Sequence, residues 1–105
     1  NEPRAVAAFD SRPRMQAAYM RWVASSAELI KQLAPNQLVT IGSEGWTPYA
    51  DYVNVDYLAA HSDPNVDYLT VHIWPQNWDW YDPEASLDET LELSRTYLEQ
   101  HVASA

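Results

Sequence analysis

The hydrophobic pattern of this chain alternates between a helical period and a strand period, and that alternation limits what it can fold into more than any other feature. From about Arg14 to Leu33, the residues Met15, Ala18, Tyr19, Trp22, Val23, Ile30 and Leu33 recur at spacings of three and four, with Arg14, Arg21, Glu28 and Lys31 between them. This predicts an amphipathic helix. Asp10 or Ser11 can cap its start, Pro13 is tolerated in a first turn, and Pro35-Asn36 stops it. Leu38-Val39-Thr40-Ile41 is a short β-prone run leading into Gly42-Ser43-Glu44-Gly45-Trp46, where the chain's two glycines permit a sharp turn.

A weaker helical stretch is expected from about Asp51 to Ala60, closed by the turn residues His61-Ser62-Asp63-Pro64-Asn65. In Tyr68-Leu69-Thr70-Val71-His72-Ile73-Trp74 a period of two places Leu69, Val71 and Ile73 on one face and Thr70, His72 and Trp74 on the other. The aliphatic face calls for helices packed on it, and the Thr/His/Trp face can look into a functional cavity. The loop from Pro75 to Pro83 is dense in aromatics and amides. A last helix begins at Ser86, with Glu89 completing a capping box, and its expected buried side carries Leu87, Leu91, Tyr97, Leu98 and Val102.

This order is that of parallel β/α units, with no internal repeat or low-complexity segment to disturb it. A (β/α)8 barrel and a doubly wound open sheet both place functional residues in the loops after their strands, so alternation alone leaves the two open.

Composition narrows the chemistry. Six Lys plus Arg stand against fifteen Asp plus Glu, a net charge of -9 that opposes counterion-driven binding to nucleic acid or anionic membrane. No apolar run approaches the ~20 residues of a membrane span. With no cysteine, disulfides and thiolate metal sites are excluded, and three scattered histidines form no metal-binding cluster. There is no Gly-rich phosphate loop and no Gly-x-Ser-x-Gly elbow, so no cofactor and no metal are expected. Five Trp and seven Tyr beside a single Phe suit surfaces that are apolar on the ring face and wet at the edge, as stacking on a neutral sugar requires.

Glycoside hydrolysis needs two carboxyl groups flanking the scissile bond. Glu2 and Glu44 stand at turn-like positions from which a carboxyl can project, and His72 can serve as a supporting hydrogen-bonding or acid/base group. His61 beside a turn and His101 late in a helix read as structural or solvated.

Three segments taken in order, Asn1-Glu2-Pro3-Arg4, Leu38 to Gly45, and Asp67 to Trp78 with its His72-Ile73-Trp74 core, resemble family five glycoside hydrolases of the endo-1,4-β-mannanase type. The resemblance implies a retaining (β/α)8 TIM barrel, of which residues 1–105 form one part, running from the end of the fourth strand through the sixth helix with no second domain. It implies that Glu2 is the general acid/base, that Asn1 bonds a hydroxyl of the sugar at the cleavage point, and that Arg4 holds sugars on the leaving-group side. Glu44 then resembles a substrate contact rather than the nucleophile, His72 and Trp74 a pair close to the nucleophile, and Trp78 a sugar-stacking loop residue. Many relatives have Tyr where Trp74 stands.

In that reading the nucleophile Glu lies beyond Ala105, and the 105 residues alone are expected to be inactive and to need the rest of the barrel, since ~250 residues close such a fold. The implied substrate is β-mannan or a related polysaccharide, with no nucleic acid partner, no membrane insertion, and an extracellular or periplasmic location. A β-1,4-glucanase of the same fold is the alternative enzyme reading. The alternative from another class is a non-catalytic sugar-binding or structural piece using Trp46, Trp74, Trp78 and Trp80 as a platform.

Overall fold

Helix α1 runs from Arg12 to Leu33, two residues longer at its start than the periodicity alone requires. Its termination is as expected: beyond Leu33 the chain turns through Pro35-Asn36, closed by bonds from Ala34 N to Ile30 O and from Gln37 N to Ala34 O. The computed structural model describes residues 2–4, 12–47, 56–85 and 87–105. The proposed caps Asp10, Ser11 and Ser86, and positions 51–55 of the second helical stretch, lie outside the described residues.

Helix α2 spans Tyr57–His61 and is capped by Asp56, whose carboxylate accepts from Ala59 N. Its C-terminal end is tied by Ser62, which donates through both its backbone N–H and its hydroxyl to Leu58 O. Asp63 then closes the turn, its side chain accepting from Asn65 N and its carbonyl from Val66 N. Helix α3 spans Leu87–Ser104, with Asp88 and Glu89 in the first turn, where negative charge complements the helix dipole.

Tyr19 and Val23 of α1 pack with Ala60 of α2 to form a core, flanked by Met15, Met20, Ile41 and Val66. The buried face of α1 is Tyr19, Val23 and Ala27, at intervals of four. This is narrower than the expected stripe, for Ala18, Trp22, Ile30 and Leu33 are exposed. The face of α3 is corrected more sharply. Thr90, Tyr97 and His101 are buried, whereas Leu87, Leu91, Leu98 and Val102 are exposed and, apart from Leu87, line an open apolar hollow along the helix. Polar groups on the inner face, not leucines, set the helix's rotation, because Thr90 Oγ1 donates to Trp80 O at 2.6 Å and His101 receives Trp46 N–H at 2.7 Å.

Among the described residues helices are the only regular elements, and the strands expected over 38–41 and 68–74 are extended segments rather than assigned strands. The two segments nevertheless lie side by side in parallel. Asp67 N donates to Val39 O and His72 N to Glu44 O, each 2.9 Å, with a constant offset of 28 residues (67 − 39 = 72 − 44 = 28). Side chains take up main-chain groups that a regular ladder would use: Val39 N donates to Asp67 Oδ2, Thr40 Oγ1 to Tyr68 O, and Thr70 Oγ1 to Ser43 O. Lys31 reaches over from α1 to Asp67 Oδ2 at 2.7 Å and to Gln37 O at 2.9 Å, so the helix end and this paired backbone share one ionic tie.

Candidate active site

At the ends of the extended segments four side chains converge. Glu2 is docked by its own N–H, which donates to Gly42 O at 2.9 Å, and it holds a left-handed φ of 56°. That region is disfavoured for a residue with a Cβ and recurs where surrounding contacts over-determine the backbone, as at functional sites. His72 Nδ1 lies 2.7 Å from Glu2 Oε1 across 70 residues of sequence. Arg4 lies 3.4 Å from Glu2 Oε2 through Nη2, and much closer to Glu44, with Nε at 2.8 Å and Nη2 at 2.7 Å from Oε1.

The two carboxylates are therefore differently engaged. Glu44 is the more enclosed and takes both short contacts from the guanidinium, while Glu2 and His72 are about one-third exposed. A carboxylate held by two short contacts from a guanidinium is suited to positioning, whereas one held by an imidazole nitrogen and a longer guanidinium contact, and open to solvent, can exchange a proton with a bound ligand.

The structure thus brings together Glu2, Arg4, Glu44 and His72, all singled out in the sequence. Asn1 lies outside the described residues. Trp74, 55% exposed, offers an open ring, but Trp78 is only 8% exposed. Its ring is turned onto Trp80 at 4.8 Å and Tyr97 at 5.2 Å, and Trp80 also meets Tyr97 edge-on. Trp46 packs near Tyr57 and His101. The four tryptophans therefore do not form one shared open platform.

Beneath the site lies a feature that sequence reading passed over. Tyr57-Leu58-Ala59-Ala60-His61 in α2 and Tyr97-Leu98-Glu99-Gln100-His101 in α3 share a Tyr-Leu-x-x-His pattern, a short internal repeat that was legible as letters. In each, His Nδ1 bonds the carbonyl of its Tyr one turn earlier, at 2.8 Å for His61 and 2.7 Å for His101. In each, Nε2 reaches the loop that carries Glu44: His61 lies 3.3 Å from Ser43 Oγ, and His101 accepts from Trp46 N at 2.7 Å. The hydroxyls act in parallel, Tyr57 donating to Thr70 O and Tyr97 to Glu44 O.

His101 is accordingly not solvated but 3% exposed, and His61 is half-buried. Burial, partly offset by the Tyr57 carbonyl, holds the His61 imidazole below its ordinary range. Burial first, then the nearby Tyr57 and Glu44, pushes the Tyr97 phenol well above its ordinary range, so it remains a donor. Gly45 is what lets α3 approach: its φ is +96°, and a Cβ there would sit 2.8 Å from both His101 Nε2 and Tyr97 Oη.

The chain is also similar to known proteins. The chain is 31% identical to mannan endo-1,4-beta-mannosidase 4 of Oryza sativa subsp. japonica, over 97% of its own length and 23% of that protein's. It is 27% identical to mannan endo-1,4-beta-mannosidase 7 of Arabidopsis thaliana, over 100% of its own length and 25% of the relative's. Mannan endo-1,4-beta-mannosidase F of Aspergillus fumigatus is 29% identical over 54% of the chain and 15% of that protein. The chain spans about a quarter of the length of the plant relatives it matches. The model of a family described as GH family 5 beta-mannosidase-like matches residues 1–105, and the chain belongs to that family.

Proposed function

We propose that these residues carry the acid/base half of a retaining glycosidase that cleaves internal β-1,4-mannosidic bonds in mannan-type polysaccharides. The observation that carries this reading is the Glu2–His72 contact set beside the Arg4–Glu44 pair, in a chain matched by the family along its whole length.

In the first step the Glu2 carboxylic acid gives its proton to the glycosidic oxygen as the bond to the anomeric carbon breaks. The carboxylate so formed is met by His72 Nδ1–H and by the Arg4 guanidinium, donors already in place where charge develops. In the second step Glu2 takes a proton from the water that releases the sugar. The nucleophile is a second carboxylate, to be supplied by the remainder of the barrel at roughly 5–5.5 Å from Glu2. Glu44, engaged by Arg4, is assigned to hydroxyls on the leaving-group side together with Arg4. Asn1 is assigned to a hydroxyl at the cleavage point, and Trp74, with its open ring, to sugar stacking.

Membership of family five implies a (β/α)8 barrel, and the constant 28-residue offset between the extended segments supports reading them as neighbouring parallel strands. The exposed stripes Ile30 and Leu33 on α1, and Leu91, Leu98 and Val102 on α3, support a surrounding domain that covers them. A polymeric substrate argues for an extracellular or periplasmic site of action.

The test is Glu2→Gln in the full-length protein, assayed on galactomannan, glucomannan and carboxymethylcellulose. Turnover of mannan should fall by about 10²–10⁴-fold, the range typical of a lost general acid/base. Near-normal activity, or a preference for cellulose in the unaltered protein, overturns the reading. Residues 1–105 expressed alone should leave mannan intact.

A further inference from the structure

The two Tyr-Leu-x-x-His segments grip opposite flanks of Glu44: Ser43 on one side by His61, and Trp46 on the other by His101. The His101 contact determines its own proton placement. The Tyr97 carbonyl can only accept, so Nδ1 carries the hydrogen; the Trp46 backbone can only donate, so Nε2 is bare. Between these anchors the Glu44 carbonyl accepts from two donors, His72 N–H at 2.9 Å and the Tyr97 hydroxyl at 3.3 Å. The backbone of Glu44 and that of His72 thus meet at one oxygen, which α3 also holds.

We propose that His101 and Tyr97 are positioning residues for the site, locking the Glu44–Gly45–Trp46 backbone so that the Glu44 carboxylate is aimed at Arg4. Neither touches Glu2 or Arg4, and neither is a catalytic residue. Their effect on Arg4 passes through one side chain, Glu44, and the consequence for substrate rests on the assignment of Glu44 to the leaving-group side. The geometry also sets which replacements work. The amide oxygen of Gln can reach the position of Nε2 and accept from Trp46 N–H, whereas Phe fills the space and accepts nothing.

The experiment uses the full-length protein with His101→Phe, His101→Gln and Tyr97→Phe, each also combined with Glu44→Gln. Two quantities are read: kinetics on mannan oligosaccharides, and the NMR signal of the Arg4 Nε–H, slowed in exchange while it is bonded to Glu44. His101→Phe should lower kcat/KM about tenfold, mainly through KM, and lose the Arg4 protection, while His101→Gln restores both. Added to Glu44→Gln, it should cost nothing further. Tyr97→Phe, which deletes only a hydroxyl, should weaken the Arg4 signal even where His101→Phe does not fold. Full Arg4 protection in the folded variants, or losses that add to Glu44→Gln, overturns the proposal. Failure of the unaltered protein to cleave mannan would refute the functional reading instead, and the Arg4 signal would still decide the clamp.

Discussion

Arg4 grips Glu44 with two nitrogens on a single oxygen, at 2.8 and 2.7 Å, while standing off at 3.4 Å from Glu2. The planar guanidinium makes this possible, since Nε and Nη2 present parallel hydrogens that a lysine ammonium cannot reproduce. Arg4→Lys keeps the charge and loses the paired grip. In the full-length protein it should lower kcat/KM on mannan oligosaccharides by about 10- to 100-fold, the equivalent of a charge-assisted hydrogen bond, with KM carrying most of the change. Steady-state kinetics with short and long oligosaccharides checks this. An effect confined to kcat would mean that Arg4 acts on Glu2 instead.

Gly45 permits the approach of α3 to the Glu44 loop, and the permission is specific to glycine. Alanine there faces two obstacles: a φ of +96°, and a Cβ 2.8 Å from atoms of two ring side chains packed in the interior. Neither is the flexible tip of a long chain, so backbone must shift. Gly45→Ala should destabilise by about 2 kcal/mol, as expected of a strained left-handed position, and should also loosen Glu44. Denaturant unfolding reads the first effect and mannan KM the second. A stable variant with normal KM would show that the loop has another way to close.

The sequence revealed where helices lie better than which way they face. Periodicity placed α1 and α3 within two residues of their observed starts, because repeating apolar letters report helix existence directly. It left open that Leu91, Leu98 and Val102 face away from the inner contacts of residues 1–105, because rotation about a helix axis depends on what the inner face must bond. Here that is Trp46 N–H and the Trp80 carbonyl, reached by His101 and Thr90. The extended segments carry strand-like letters, but Thr40, Thr70 and Asp67 bond main-chain groups that a ladder would have used. Of the site, Glu2, Arg4, Glu44 and His72 were legible as spaced motifs, although contacts spanning 40 and 70 residues were not. The histidine clamps were hidden because a ring nitrogen's partner is a tertiary fact. Only the recurrence of Tyr-Leu-x-x-His hinted at them.

Tyr19 sits in the core between α1 and α2 with its hydroxyl buried and without a hydrogen-bond partner among the described residues. Burial alone pushes its phenol up to about 12, so it stays neutral, yet a neutral hydroxyl still loses its hydration. Removing that oxygen leaves the ring's packing intact. Tyr19→Phe should therefore stabilise the fold by about 1 kcal/mol, the reverse of most core substitutions. Thermal or urea unfolding of the full-length protein checks the sign. A loss of stability would reveal a bond to this hydroxyl.

His61 makes stability depend on pH in a definite direction. Desolvation lowers its folded-state value below the ordinary 6.5, so the unfolded chain binds a proton more readily than the folded one. Stability therefore rises with pH wherever the two states differ in protonation. The contribution is complete above about pH 6.5, where both are neutral, and is lost as pH falls from there through the lower folded value. Protonation would also turn Nε2 into a donor facing Ser43 Oγ, whose hydroxyl must then swing to accept, reversing the direction of that bond. His61→Gln keeps a neutral polar group at the position and should flatten the fall in melting temperature between pH 7 and pH 5. A slope as steep as that of the unaltered protein would assign the effect to another group.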